Sequence, residues 1–302
     1  MMKTYKEVIT EIANTNDCFI ELTNQDIRAL QLVLLEMYKD IAKLCDEEGI
    51  TLFLGGGSCL GAVRHKGFIP WDDDLDLMLL RADYEKLIQL CEKGRLGNKY
   101  EFNYPNKKNG SCLPFMKIYR KNSLLVESFN ECEAFPTGIY IDLFIMDFVP
   151  QLKICRILKG GIADCIKLIS RAVLYVQYPS KSSQNLMTVS PALKILSKLK
   201  KLMGHILSII PQTKWVYWFD RFVASTKGNM ITIPTGRRRY IGETHDYSVF
   251  FPPQKVSFEG IEVNIPFNYD KYLKNLYHDY MSIPPENKRE KHFVLKFQLP
   301  KD

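Results

Sequence analysis

The stretch that decides the fold runs from Gly55 to Asp76, GGGSCLGAVRHKGFIPWDDDLD. It opens as a glycine-rich turn after the short apolar run Thr51–Leu54. It closes with four aspartates in five residues, which lead into a second apolar run, Leu77–Leu80. Crowded like charge stabilises no globular chain by itself. Packing carboxylates beside a hydrophobic strand makes physical sense when a cation sits among them. Hard oxygen ligands of this kind suit Mg²⁺ or Mn²⁺.

Alternation at period two places Asp74 and Asp76 on one face of a strand predicted over Asp74–Leu80, with Leu75 and Leu77 on the other face. Asp72 shares that parity if the strand reaches back to it, and Asp73 is expected to be exposed. Upstream, Ser58–His65 reads as a helix whose N-terminus follows the glycines, a geometry that brings backbone N–H groups toward phosphate. Residues Lys66–Trp71 read as a loop. Downstream, Gly138–Val149 (GIYIDLFIMDFV) is the most strand-like run in the chain. Asp142 in its middle needs a partner, because an unpaired carboxylate is costly in so apolar a strand. The metal expected at Asp74 and Asp76 is its candidate partner.

Around this centre the elements alternate. Thr23 or Asn24 caps a helix whose apolar positions, Ile27 to Leu44, recur at spacings of three and four. A helix over Ala82–Gly94 follows, then strands at Tyr100–Tyr104, Leu113–Tyr119 and Ser123–Ser128. From Gln151 onward the pattern turns helical and basic. Helices are expected over Gln151–Gln177, with Gly160–Gly161 as a break, and over Ala192–Ile210 and Thr213–Ser225, with a polar loop at Pro179–Ser190. Gln151–Met230 holds thirteen Lys and Arg against two acids, a net +11 that leaves −4 for the rest of the chain. Such a block faces an anionic partner, packs on the sheet, or presents a solvated face. Beyond it lie the arginine cluster Gly236–Tyr240 (GRRRY), a hairpin over Val256–Pro266 turning at Glu259–Gly260, a helix over Asn268–Met281, and a proline- and lysine-rich tail carrying His292. Residues 1–22 fit either a short helix or a strand.

Composition agrees with a globular chain: 46% hydrophobic and 25% charged residues support a sizeable core. Eight scattered cysteines without a CxxC pair are expected to be reduced thiols, mostly buried, which argues against a disulfide framework or a zinc site. The charged N-terminus lacks an apolar signal region, and no run of 18 uncharged apolar residues marks a membrane span.

The conjunction of strand, glycine turn, helix, Asp-x-Asp strand and later strand carboxylate resembles the nucleotidyltransferase superfamily. Within it, GGGSCLGAVRHKGFIPWDDDLDL is similar to the signature of the LicD family, which includes the fukutin-related proteins. GIYIDLFIMD at 138–147 and YLKNLYHDYMSIPP at 272–285, followed by His292, extend the likeness. His278 stands where the family more often has glycine. The resemblance implies an α+β fold: a nucleotidyltransferase-like mixed sheet core in 1–150, a basic helical insertion in 151–235, and a C-terminal hairpin and helix in 236–302 that complete the core. It implies an enzyme that moves phosphocholine, or a related phospho-alcohol, from CDP-choline or another CDP-alcohol donor to a glycan hydroxyl, releasing CMP. Carried onto these positions, Asp74 and Asp76 hold Mg²⁺ (or Mn²⁺), with Asp72 as a further ligand or as a carboxylate that supports the ligands from behind. Asp142 is the third metal carboxylate or the base that orients the acceptor. Gly56, Gly57 and Ser58 cradle the diphosphate, and Arg64, Lys66, Lys117 and Arg120 are candidates for contacts to its phosphates. His65 reads as structural or catalytic, Trp71 as packing beneath the aspartate turn rather than stacking on a base or facing a choline cation, and His278 and His292 as structural. The acceptor is expected on a lipid carrier, with the protein cytoplasmic and peripheral on the inner membrane face, against anionic lipid. No nucleic acid partner is expected. Two other readings remain open: transfer of NMP from an NTP to an alcohol or protein, and a non-catalytic module that grips lipid or nucleic acid.

Overall fold

A computed structural model describes residues 19–301 except 108–109, 129, 133, 189, 287–288, 290–291 and 293. Most of the ambiguous segment 1–22 therefore lies outside the described residues, as does Cys18. Helix α1 (Asn24–Glu47) starts as expected: Thr23 accepts from Asp26 N–H and Asp26 reaches back to Thr23 N–H, a closed capping box. Strand β1 (Phe53–Leu54) runs into α2 (Gly56–His65), which Lys66 ends in the left-handed conformation, φ 57°. Then come β2 (Asp76–Leu80), α3 (Arg81–Glu92), β3 (Tyr100–Asn103), β4 (Met116–Arg120), β5 (Leu124–Glu127) and β6 (Ile139–Phe148). Strand β2 begins two residues later than the alternation suggested, so Asp72 and Asp74 belong to the approach to the strand.

The basic stretch 151–235, expected as an insertion, contains α4 (Lys153–Gln177), α5 (Lys181–Leu186), α6 (Pro191–Leu207) and α7 (Gln212–Val223). The pair Gly160–Gly161 does not break α4. Gly160 is the point where Tyr240 and Ile241 press against the helix, and a side chain there would collide with both. The expected loop at Pro179–Ser190 contains the short helix α5, capped by Ser180. After the insertion come β7 (Met230–Thr232), α8 (Arg239–Gly242), β8 (His245–Asp246), β9 (Gln254–Phe258), β10 (Ile261–Ile265), α9 (Tyr269–Tyr277) and β11 (Val294–Gln298). The hairpin turns at Glu259–Gly260 as expected, both residues having positive φ. Helix α9 stops at Tyr277, four residues short of the expected end, because His278 takes φ 58°. The tail is not simply loop: β11 pairs antiparallel with β5.

The main sheet is mixed, ordered β1-β2-β6-β4-β3, with β7 and β8 extending from the far end of β6. Strand β2 runs parallel to β6, and the other pairs are antiparallel. The fold is α+β. Register matters most at one level of the sheet, where Asp76 faces Asp142 across β2 and β6, and Lys117 faces Asp142 across β4 and β6. On β6, Ile139, Ile141 and Leu143 are fully buried. Tyr140, Asp142 and Phe144 share the opposite face by parity. One core cluster joins α1, the sheet, the β9–β10 hairpin and α9, and a small second cluster joins Val149, Ala163, Phe219, Val223 and Tyr240 at the root of the insertion.

Charge ties that root to the sheet. Arg81, 2% exposed, donates from Nε and Nη2 to Asp147 at the end of β6, at 2.9 and 2.7 Å, and from Nη1 to Asp220 on α7 at 2.7 Å. Both acids are buried, so the guanidinium neutralises two carboxylates that would otherwise be untenable there. Among the described residues, no helix is long and apolar enough to cross a membrane.

Candidate active site

A cavity of about 440 Å³ opens over the glycine turn. Gly55, Gly56 and Gly57 line it together with Asp72, Asp74, Asp76, Met78 and Phe144. The glycines are needed for space as well as for the turn. A Cβ on Gly56 (φ 44°) would come within 2.8 Å of Asp76 Oδ2, and one on Gly57 within 2.9 Å of Asp72 Oδ2. The carboxylates thus lie directly against the N-terminus of α2, where Gly55 offers no side chain to cap the helix. The first N–H groups of a helix have no intrahelical acceptor. That of Gly56 donates to Tyr272 Oη at 3.1 Å. Ser58 is buried, and its Oγ accepts from Asp76 N–H at 2.9 Å. Its hydroxyl fastens the helix to the start of β2 rather than facing a ligand.

The acids perturb one another. Burial first, then Asp74, Asp142 and Asp72, raise the Asp76 carboxyl well above the usual range. Asp74 is pushed up to about 6, mainly by burial; His292 opposes the rise, and Asp73 and Asp142 add to it. Burial also raises Asp142, against the pull of Lys117, whose Nζ stands 2.8 Å from Asp142 Oδ1. Lys117 is 3% exposed and its Nζ sits 3.2 Å from the centre of the Tyr140 ring, so it is a buried counter-ion and does not face solvent. Tyr140 in turn donates to Glu127.

Asp73 departs from expectation. Its side chain is 13% exposed and its Oδ1 lies 2.7 Å from His292 Nδ1. His292 Nε2 is 3.9 Å from Asp74, and Nδ1 is 3.8 Å from Glu127. Burial alone would lower the histidine pKa, but the hydrogen bond and charge of Asp73, with Asp74 and Glu127, carry it well above its usual value. The tail thus returns across 219 residues to put a cation beside the aspartates.

The other side of the cavity is basic. Lys167 and Arg171 from α4, with Arg237 and Arg239 from the arginine cluster, line it along with Glu243, Tyr272 and Tyr277. Lys167 donates to Pro234 O at 2.9 Å. Burial first, then the neighbouring Arg239, lower the Arg171 pKa, so cations crowd one wall as carboxylates crowd the other.

A sequence model of the LicD/FKTN/FKRP nucleotidyltransferase domain matches residues 49–137, the span that holds the glycine turn and the aspartates. The lipopolysaccharide cholinephosphotransferase LicD of Haemophilus influenzae is 25% identical over 291 residues, 89% of this chain and 96% of that protein. An uncharacterized protein of Rickettsia prowazekii is 30% identical over 116 residues, 37% of this chain and 43% of its own. Residues 49–137 therefore carry a LicD-type domain.

Against that likeness, the residues expected at a LicD site separate into groups. Asp72, Asp74, Asp76, Gly56 and Gly57 line the cavity, and Asp142 with Lys117 lies beside them at the register of Asp76. Two phosphate-binding candidates are not brought there. Lys66 caps the far end of α2, ten residues beyond Gly56, where its carbonyl accepts from Glu259 N–H. Arg120 is three positions from Lys117 on β4, hence on the opposite face, and donates to Lys121 O. Arg64 lines a smaller adjoining cavity of about 260 Å³ with Trp71 and Tyr280, and its Nη1 donates to Tyr280 O at 2.7 Å, holding the chain beyond α9. Trp71 packs edge-on to His65 and carries Arg289 over its ring at 4.0 Å.

The donor set suits a hard divalent cation: acid oxygens only, several of them crowded, with raised pKa values that an added positive charge would relieve. As they stand, no three His, Cys, Asp or Glu among the described residues close to ligand distance of one point. The fit is therefore one of charge and ligand type, with Asp72, Asp74, Asp76 and Asp142 as the residues that would hold the ion.

Proposed function

We propose that this chain, with its LicD-type domain, is a metal-dependent phosphotransferase. It takes phosphocholine, or a related phospho-alcohol, from a CDP-linked donor, transfers it to a hydroxyl of a cell-surface glycan and releases CMP. The observation that carries the reading is that Asp72, Asp74 and Asp76 line one cavity together with Lys167, Arg171, Arg237 and Arg239, with Asp142 at the register of Asp76. A diphosphate-bridged donor needs anion contacts along the bridge, and an acceptor hydroxyl needs a carboxylate at the end where it attacks. The relative named a lipopolysaccharide cholinephosphotransferase supports the same substrate class.

In this reaction the acceptor oxygen bonds to the phosphorus that carries the alcohol as the bond from that phosphorus to the CMP oxygen breaks. The acceptor proton passes to a carboxylate. Asp142 fits that role, since Lys117 favours its ionised form and the Asp76 register sets it beside the aspartates. The arginine wall holds the donor phosphates and offsets the charge that builds on departing CMP. Lys167 adds a buried ammonium to that wall. When bound, a divalent cation at Asp72, Asp74, Asp76 and Asp142 supplies further neutralisation of phosphate oxygens. A lipid-linked acceptor and a cytoplasmic, peripheral position complete the reading.

Incubation of the purified chain with Mg²⁺, a panel of CDP-alcohols and candidate glycans tests it. CMP release that requires one donor and an acceptor supports the transfer. Pyrophosphate release from an NTP, with NMP on the acceptor, would instead establish nucleotidyl transfer, the reaction in the matched domain's description. A non-catalytic anion-binding module has no use for the carboxylate wall, and metal-independent, salt-sensitive nucleic acid binding without turnover would be its signature.

A further inference from the structure

Helix α6 is amphipathic in the inverse sense for a globular protein. One side packs on α4 through Leu193, Ser197, Lys200 and Gly204, at spacings of four, three and four. Gly204 lets the two backbones meet at Ala172 O, Ser197 Oγ is 2.9 Å from Tyr175 Oη, and Lys200 Nζ lies 4.3 Å above the Tyr175 ring. The opposite side should be polar if it faced only water. Instead Ile195, Leu199, Leu202 and Ile206 repeat the same spacings, and Ile209 continues them past the helix end. They are 60%, 59%, 60%, 61% and 91% exposed. Lys194, Lys198, Lys201 and His205 border this stripe along one edge, and α6 contains no acid.

Helix α4 prolongs the surface. Ala172, which α6 covers, stands five turns from Ile154 on the same side of α4. Toward the N-terminal half of the helix that side is uncovered, and Ile154, Leu158 and Ile162 are 65%, 60% and 50% exposed, with Leu152 just before them at 68%. Scattered exposed leucines need no explanation, but a continuous apolar stripe directly opposite a packed face does.

We propose that the outer face of α6 and the first half of α4 form a docking surface for an anionic lipid bilayer. The isoleucines and leucines enter the acyl boundary and the bordering lysines meet headgroup phosphates. The charge pattern selects this occupant. A second copy seated on the same stripe would bring Lys194, Lys198 and Lys201 toward their own counterparts, with no acid in α6 to receive them. A bilayer presents negative charge and an apolar layer in the order in which this helix presents lysine and leucine. The proposal rests on the functional reading only for a lipid-borne acceptor, and its test does not involve turnover.

Flotation of the full chain with vesicles tests it. The wild type is expected to float with phosphatidylglycerol-containing vesicles and to remain behind with pure phosphatidylcholine. Lys194→Gln, Lys198→Gln and Lys201→Gln together should weaken anionic binding by about a hundredfold, each lysine contributing about 1 kcal/mol near such a surface. Leu199→Glu with Leu202→Glu should abolish flotation while leaving the melting temperature and any CMP release with a soluble acceptor unchanged. A wild type that floats with neither vesicle overturns the proposal, as does equal flotation with both. So does a sedimentation dimer that the leucine pair disrupts, which would assign the face to a second copy. Loss of CMP release with flotation intact would instead count against the functional reading alone.

Discussion

Lys117 Nζ and Asp142 Oδ1 stand 2.8 Å apart between residues that face each other across antiparallel strands, at the level where Asp142 also faces Asp76 across a parallel pair. The sheet thus fixes a cation on one side of Asp142 and an acid on the other. Substituting Lys117→Met leaves that carboxylate 16% exposed and without its ammonium. Loss of one partner of a buried pair costs about 3–5 kcal/mol. Urea unfolding should show a loss of this size, partly restored by Mg²⁺ and unaffected by an equal ionic strength of Na⁺. A stability unchanged by the substitution would remove Lys117 from the charge balance of the site.

Asp76→Asn should separate catalysis from folding. Burial and three neighbouring carboxylates already hold this carboxyl well above its usual pKa, so a neutral amide relieves repulsion. The variant is expected to melt no lower than wild type in the absence of divalent cation and to lose the stabilisation that Mg²⁺ gives the wild type. Transfer should fall by at least roughly a thousandfold. Retained turnover in the purified variant would refute the metal assignment.

Half of this site was legible in sequence, and the reason is local density. Glycines and aspartates packed into 22 residues have few other uses, and a lone Asp142 in an apolar strand advertises a partner. The cation wall was not legible. Lys167 and Arg171 sit in a helix with cations and apolar residues on more than one side, and periodicity alone does not tell an inward face from a solvated one. Arg237 and Arg239 were visible as a cluster, with nothing in the chain order to say that it folds back over Gly56. His292 and Asp73 are 219 positions apart, and only β11 pairing with β5 places the tail beside them.

The arginine wall can be dissected without unfolding the chain, because Arg171, Arg237 and Arg239 are exposed. Arg171→Gln and Arg237→Gln should each raise the donor KM by about tenfold, the equivalent of one charge-assisted contact of about 1.4 kcal/mol. The glycan KM should stay within about twofold of wild type. Steady-state kinetics with each substrate varied in turn checks this. Equal effects on both substrates would place these arginines elsewhere than at the donor phosphates.

Arg81 should hold the insertion to the sheet. Arg81→Met strands Asp147 and Asp220 in a site where both are buried. The expected cost is about 3–5 kcal/mol, and adding Asp220→Asn should recover part of it. Limited proteolysis should show earlier cleavage within 151–235 in the single variant than in wild type. Identical cleavage kinetics would mean that apolar contacts alone secure the insertion.

Glu243 and His245, both buried, should give stability opposite pH slopes. Burial pushes Glu243 up to about 7, against the Arg238 N–H bond and the charge of Lys167. The folded chain therefore holds that proton more tightly than the unfolded chain, and the glutamate lowers stability progressively as pH rises from about 4.5 to about 7. His245 is pushed down to about 4 by burial and Lys271, so its contribution is lost as pH falls from about 6.5 to about 4. Between about 4.5 and 6.5 the two slopes oppose each other. Glu243→Gln keeps an acceptor for Arg238 N–H and removes one titration. Relative to wild type, the variant should gain about 3 kcal/mol between pH 4.5 and 7, read as a difference in urea midpoints across a pH series. The cavity aspartates titrate in both proteins and cancel in that difference. A variant whose midpoints track the wild type at every pH would show that Glu243 is not the buried acid this geometry makes it.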